Sequence, residues 1–338
     1  MTSPITASPS PSVIIKGIGS YTPDKILTNE AISRLVETSD EWIVSRTGIH
    51  ERRIASDSQA CSDLAYEAAI RALDDAGMKA DEIDMILVAT ITPDMLFPST
   101  ACILQNKLNL QNIPCVDLEA ACTGFIYALE MGAALLKSNL RLKNILIAGA
   151  EKLSSVIDWQ DRSTCVLFGD GAGAAILSRI DEPGTGILDT LLGADGSNPE
   201  LLNIPAGGTR LPTSEQTLKA KQHFLKMNGR EVFKFASKVM VQASEDILLR
   251  NNMRVSDVDL IVPHQANIRI IENASKSMQV PMEKFFINLD RYGNTSAGSV
   301  PIALDEAYRG GRINPGDLIL CIAFGAGLTW GSTLLKWK

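Results

Sequence analysis

The feature that most constrains the fold of this chain is an internal repeat. The stretch "ADEIDMILVATITPD" (80–94) resembles "VSDVDLIVPHQAN" (255–267), and "CTGFIYALEMGAALLKSNLRLKNILIAGA" (122–150) resembles "SAGSVPIALDEAYRGGRINPGDLILCIAFG" (296–325). The spacing is nearly kept, with 40 residues from Asp84 to Gly124 and 39 from Asp259 to Gly298. Each copy reads strand, helix, strand, tight turn, helix, strand. A self-similar unit of this kind is one supersecondary block used twice. The chain is therefore expected to fold as two related halves, whose pseudo-symmetry brings the two strand–helix turns close together.

Local patterns agree. The runs "SVIIKGIGSY" (12–21), "MILVAT" (85–90), "NILIAGA" (144–150), "DLIVP" (259–263) and "DLILCIAFG" (317–325) are short, apolar and strand-like. Between them "DLAYEAAIRALDDAG" (63–77) has apolar positions at helical spacing and closes on Gly77, a plausible cap. Continuous apolar strands alternating with helices point to an α/β protein with buried strands. At 338 residues and 45% hydrophobic, the chain can bury a large core.

Composition narrows the function. Net charge is −7 with no basic stripe, so nucleic acid is not an expected partner. No apolar run reaches the roughly 20 residues of a spanning helix, so no membrane is expected. The six cysteines form no C-x-x-C pair and no spacing with histidine that suggests a metal site. They read as scattered thiols of a reducing, cytoplasmic compartment. The start, "MTSPITASPSPS", lacks the basic and apolar regions of a secretory signal, and residues 1–12 are expected to form a disordered extension. The two halves are expected at 13–180 and 181–338.

Three residues invite a chemical reading. Cys122, in "LEAACTGFIYAL", lies where strand character gives way to helix character. Unpaired N–H groups at a helix start favour an anion, and a thiol there can fall to a pKa of about 3.5–7.5. Taken alone, this stretch is better explained by a packed cysteine. His264 follows the strand "DLIVP", at the carboxyl end where α/β sheets place their sites, or it caps a loop. His50 and His223 read as a solvated residue and part of an exposed helix. Asn294, in "RYGNTSAG", is a good turn or N-cap residue, and by the repeat its turn is the counterpart of the Cys122 turn. "GDGAGAAIL" (169–177) runs into a strand-like segment and does not meet the dinucleotide fingerprint. "FGAGLTWG" (324–331) can offer backbone N–H groups to an oxyanion.

Taken in order, "TSDEWIVSRTGIHERRIA", "FPSTAC", "DLEAACTGFIYAL", "FGDGAGAAIL", "VPHQAN", "LDRYGNTSAGSVP" and "AFGAGLTWGS" resemble the β-ketoacyl-acyl-carrier-protein synthase III family, from about Val13 to Trp337. The resemblance implies an α/β, thiolase-like five-layer αβαβα fold of two duplicated halves, working as a homodimer. It implies an acyltransferase that condenses an acyl-CoA primer with malonyl-carrier protein and begins fatty-acid synthesis, with no cofactor and no metal. By the same resemblance Cys122 is the nucleophile, with His264 and Asn294 as its catalytic partners. The backbone N–H groups of Cys122 and Ala326 form an oxyanion hole. Trp42, Arg46 and Arg162 match residues that hold the adenine end of CoA. Gly229, Phe233 and Asn267 match the wall of a pantetheine tunnel. Phe97 matches a residue that reaches across the dimer into the acyl pocket, where its bulk favours acetyl. Lys234, Arg269 and Lys276 match a patch that docks the acidic acyl carrier protein.

The chain departs from the pattern at Ala326, where well-known members carry glycine, and in its longer N-terminal extension. A degradative thiolase needs a second cysteine at the position held by Ala323; Cys321 lies two residues earlier and reads as a core thiol. A specialised polyketide or quinolone condensing enzyme keeps the same three residues and is the nearer rival. A non-catalytic scaffold subunit of a condensing complex generally lacks the nucleophile that this chain retains.

Overall fold

The computed structural model describes residues 11–338. Its first sheet contains β1 (Ser12–Tyr21), β2 (Met85–Ala89), β3 (Cys115–Leu118), β4 (Asn144–Glu151) and β5 (Gly171–Ile180). They lie in the order β1-β5-β4-β2-β3, with β2 parallel to β3 and β4, and β5 antiparallel to β4 and β1. The second sheet contains β6 (Gly186–Ala194), β7 (Leu260–Pro263), β8 (Leu318–Gly325) and β9 (Thr329–Lys336), in the order β7-β8-β9-β6. Directions repeat: β7 and β8 are parallel, and β9 is antiparallel to β8 and β6. The duplication read from the sequence is thus a duplication of topology.

Two details differ from the sequence reading. The second copy lacks a full counterpart of β3. A 3₁₀ turn at Met282–Lys284 runs into that position, and only one bridge, Ile261 to Phe285, forms. Ser12 already pairs with Ile180 in β1, so the strand begins inside the expected extension, whose residues 1–10 lie outside the described residues.

Helices complete the layers. α1 (Asp40–Thr47) belongs to the connection between β1 and α2 (Cys61–Ala76). As expected, Gly77 closes α2 in the left-handed region, at φ 62. α2 and α3 (Thr100–Lys107) cover one face of the first sheet, with Leu64, Ala68 and Leu104 against Ile86, Val88 and Ile176. α4 (Gly124–Ser138) lies against the other face; α5 (Gly229–Arg250) and α6 (Ile268–Met278) cover the outer face of the second sheet. α7 (Ser299–Arg309) joins α4 between the sheets. Period-two alternation of side chains explains how buried strands serve two layers. In β8, Ile319, Cys321 and Ala323 enter the middle layer, while Leu320, Ile322 and Phe324 pack under α5 and α6. The result is the five-layer, thiolase-like α/β fold. Among the described residues no helix is long and apolar enough to cross a membrane.

Candidate active site

Two 3₁₀ turns meet at the centre of the molecule. Ala121–Thr123 leads into α4, and Ser296–Gly298 leads into α7. Ala121 at φ 45 and Ser296 at φ 48 share a left-handed conformation that few non-glycine residues adopt. This common backbone kink fixes the register of the repeat. It pairs Gly124 with Ser299, so that Asp259 to Ser299 spans 40 residues like its counterpart. Matching Gly124 to Gly298, as the sequence suggests, is one residue out, because backbone conformation and not glycine identity is what the two turns share.

Each half supports the turn of the other. A Cβ on Gly149 of β4 would stand 2.1 Å from the Ala297 carbonyl oxygen, and a Cβ on Gly325 of β8 would stand 2.7 Å from the Cys122 nitrogen. Thr329 adds a staple, its hydroxyl lying 3.1 Å from the Ala120 carbonyl, 3.0 Å from that of Ala326 and 3.0 Å from the Thr123 hydroxyl.

Cys122 lies at the helix entrance anticipated from the sequence, but its thiol is not acidic. Burial pushes it up to about 12; the Ser296 hydroxyl opposes the rise, and the charge of Glu151 adds to it. Loss of solvent here exceeds the lowering by the Cys122 backbone N–H at the helix start.

His264 follows β7 and is buried. Its Nδ1 lies 2.5 Å from the Ser299 hydroxyl oxygen, which also accepts the Gln265 N–H at 3.3 Å. With Ser299 as the donor to Nδ1, the ring proton lies on Nε2. Burial lowers the pKa to about 3, so the ring is neutral. Phe324 holds it edge to face, with centroids 5.2 Å apart. Asn294 accepts the Ser296 N–H at 2.8 Å through Oδ1, which leaves its Nδ2 donors for the cavity. Its backbone donates to the Leu167 carbonyl and accepts from Gly169, so the first half positions it.

Cys122, His264 and Asn294 all line one narrow cavity of about 90 Å³. Leu167, Gly229, Phe233 and Asn267 line both this cavity and a surface cleft that holds Trp42, Arg46, Arg162 and Arg269. The cavity and the cleft therefore adjoin across this shared wall. In the cleft, the Arg162 guanidinium stands 5.0 Å from the centroid of the Trp42 ring. Lys234, Arg269 and Lys276 are exposed on α5 and α6. Ala326 faces a second cavity beside the Cys122 turn, shared with Ala120 and Ala121. Phe97 is absent from both linings and projects to solvent, 84% exposed, beside Leu96 at 88%.

Other expectations resolve simply. Cys321 is a core thiol, fully buried in β8. His50 is exposed. His223 is not on an exposed helix; it is half-buried in a turn, with Nε2 3.0 Å from the Thr217 hydroxyl. Among the described residues no group of three or more His, Cys, Asp or Glu is placed to hold a metal. Sequence reasoning missed Ser296, Ser299, Phe324, Thr329 and Glu151. All but Glu151 lie inside motifs already singled out, where each had a plain structural reading. Glu151 follows an apolar strand, and nothing in "GAEKL" marks it as buried.

Comparison with known proteins gives this geometry a family. The model for 3-oxoacyl-[acyl-carrier-protein (ACP)] synthase III matches residues 116–196, and that for its C-terminal region matches residues 248–337. The chain is 55% identical over 324 residues to beta-ketoacyl-[acyl-carrier-protein] synthase III of Caldanaerobacter subterraneus subsp. tengcongensis, covering 96% of this chain and 97% of the relative. The crystal structure of 3-oxoacyl-[acyl-carrier-protein] synthase III from Aquifex aeolicus VF5 superposes with a TM-score of 0.87 at 44% identity, covering 97% of this chain and all of the other. The priming β-ketosynthase of the R1128 polyketide pathway gives a TM-score of 0.87 at 33% identity, over 98% of this chain and 99% of the other. With its duplicated fold, its buried thiol and relatives of this identity over nearly its whole length, the chain belongs to the 3-oxoacyl-[acyl-carrier-protein] synthase III family.

Proposed function

We propose that this protein condenses an acyl-CoA primer, acetyl-CoA by preference, with malonyl-acyl-carrier protein to give a 3-oxoacyl-carrier protein, through an acyl-Cys122 intermediate. The observation that carries this reading is the cavity lined by Cys122, His264 and Asn294, which shares a wall with the Trp42–Arg162 surface cleft. A planar base suits the indole and guanidinium of the cleft, and an extended pantetheine arm is assigned to the way from cleft to cavity. Cys122 Sγ attacks the primer thioester and keeps the acyl group. The backbone N–H groups of Cys122 and Ala326 are assigned to the oxyanion. Malonyl-carrier protein then enters by the same route. His264 Nε2–H and Asn294 Nδ2–H donate to its thioester oxygen and stabilise the enolate left by carbon dioxide. A neutral imidazole is suited to this, because it donates without first losing a proton to water. The enolate attacks the acyl-cysteine and releases the product.

The exposed Lys234, Arg269 and Lys276 supply a local positive surface for an acidic carrier protein on a chain of net charge −7. The apolar pair Leu96 and Phe97, free in a single chain, is assigned to a homodimer interface in which Phe97 limits the partner's acyl pocket. Six unbonded cysteines fit a cytoplasmic setting.

Intact-mass measurement after incubation with acetyl-CoA should find one acetyl group, lost in Cys122→Ala. That variant should lose condensation by about 10³-fold or more while still decarboxylating malonyl-carrier protein, because the His264 and Asn294 donors remain. Equal loss of both activities would contradict the division of labour. The likeness to a polyketide priming enzyme favours one second reading, a specialised primer. A panel of acyl-CoA primers read by product mass separates the two.

A further inference from the structure

Arg52, in the short strand Glu51–Arg53, is fully buried. Burial lowers its pKa to about 10, which leaves the guanidinium charged at neutrality. Its neighbour Arg53 meets Glu51 at 3.1 Å, but the three hydrogen bonds of Arg52 go to neutral acceptors. Nη1 donates to the Leu27 carbonyl at 3.1 Å and to Asn29 Oδ1 at 2.8 Å, and Nη2 donates to the Val166 carbonyl at 2.7 Å. Nε is buried with no partner. A buried cation held only by neutral acceptors is costly. What a guanidinium offers in such a place is a rigid planar fork that fixes several acceptors at once.

Those acceptors belong to three segments around the site. Leu27 lies on the strand Ile26–Thr28, which pairs with Glu51–Arg53. Asn29 is buried and passes the contact on. Its Nδ2 donates to Asp40 Oδ1 at 2.8 Å and to the Ile49 carbonyl at 2.7 Å, and Asp40 begins α1, the helix of Trp42 and Arg46. Val166 begins the run that anchors Asn294. The Asn294 N–H donates to the Leu167 carbonyl at 2.8 Å, and its carbonyl accepts the Gly169 N–H at 3.0 Å. The Arg52 stem packs at both ends of this bridge: a Cβ on Gly169 would stand 2.9 Å from Arg52 Cβ, and one on Gly293 3.4 Å from it. Leu167 and Phe168 of the same run line the Cys122 cavity, and Leu167 lines the surface cleft as well. Arg52 itself lines neither.

We propose that Arg52 is a positioning residue for the second half-reaction: it holds Val166 and so fixes the Val166–Gly169 run that places the Asn294 amide. This role rests on the function proposed above and deepens it. Asn294 reaches the enolate oxygen through Nδ2, and such a donor is effective only where it is aimed before the charge develops. Its Oδ1 is held within its own turn, by the Ser296 N–H at 2.8 Å, whereas the hydrogen bonds of its backbone cross to the first half. A shift of the run would therefore move Asn294 against its own turn. The Cys122 turn is stapled by Thr329 and His264 is held by Ser299, so the effect is confined to one donor. A lysine at this position keeps the charge but ends in a point, without the fork that spans Leu27, Asn29 and Val166.

The test compares wild type, R52K, N294A and the double variant in two assays. One is release of carbon dioxide from malonyl-carrier protein; the other is acetylation of Cys122 at saturating acetyl-CoA, read by quenched intact mass. N294A should lose decarboxylation by about 10²-fold or more, the usual loss for one oxyanion donor. R52K should lose it by about 10-fold in kcat, with acetylation within about threefold of wild type. In the N294A background R52K should cost nothing further, within about twofold. A merely structural role would move both assays together and would cost the same in either background. Either of those results, or decarboxylation by folded R52K within about threefold of wild type, overturns the positioning role alone. If R52K does not fold, R52Q carries the same expectation, since its amide falls short of Val166 and brings no charge into the core. If N294A decarboxylates as fast as wild type, the proposed function fails at Asn294 and the role of Arg52 with it.

Discussion

At the residue scale, Trp42 pairs with Arg162 in the surface cleft. The ring is 38% exposed and the guanidinium also donates to the Glu37 carbonyl at 2.9 Å, so its position is set before any ligand arrives. A cation over an indole is worth about 0.5–2 kcal/mol, depending on desolvation. Trp42→Ala should raise KM for acyl-CoA by roughly 3- to 30-fold with kcat little changed, because the contact is equally available in ground and transition states. Initial-rate kinetics with acetyl-CoA check this. A fall in kcat with KM unaltered would move Trp42 away from primer binding.

At the element scale, the two turns hold their shape because the opposite sheet leaves them no room. Gly149 is the tightest case. Its neighbours are the Ala297 carbonyl oxygen at 2.1 Å and the Gly298 nitrogen at 3.3 Å from a would-be Cβ, and backbone cannot step aside as a side chain can. Gly149→Ala should destabilise the protein by about 3 kcal/mol or more and lower activity by displacing the Ser296–Gly298 turn. Gly77→Ala is the comparison, since a Cβ there meets nothing within 4 Å and only the φ of 62 resists it. It should cost about 1 kcal/mol. Denaturant unfolding of both variants measures the difference, and equal losses would contradict the packing argument.

At the scale of the whole molecule, two buried groups make stability depend on pH in opposite directions. His264 has a folded pKa of about 3 against its ordinary value of 6.5. The unfolded chain therefore binds more protons between these values, and stability is lost as pH falls through that window. Glu151 has a folded pKa of about 7 against 4.5. The folded chain binds more protons in that window, so stability falls as pH rises through it. His264→Asn removes the first contribution and leaves the second. The stability of wild type relative to this variant should drop by about 2 kcal/mol between pH 7 and pH 5, measured by urea unfolding at both. A constant difference would mean that the imidazole titrates normally.

How much of this was legible beforehand follows from what kind of property each feature is. Strand β1, the helix closed by Gly77, the strand–helix turn at Cys122 and the duplication are local or periodic, so they are written in residue order. Apolar alternation determined which faces are buried, and the repeat determined that two halves exist. The missing counterpart of β3, the one-residue shift of the repeat and the basicity of the Cys122 thiol are not of that kind. They depend on what lies opposite. Glu151 and Ser296 are 145 residues apart, and only the packing of β4 beneath the second turn makes them neighbours. A sequence states which groups can ionise. The tertiary structure decides how much solvent each keeps and which partner it meets, and those two quantities set its pKa.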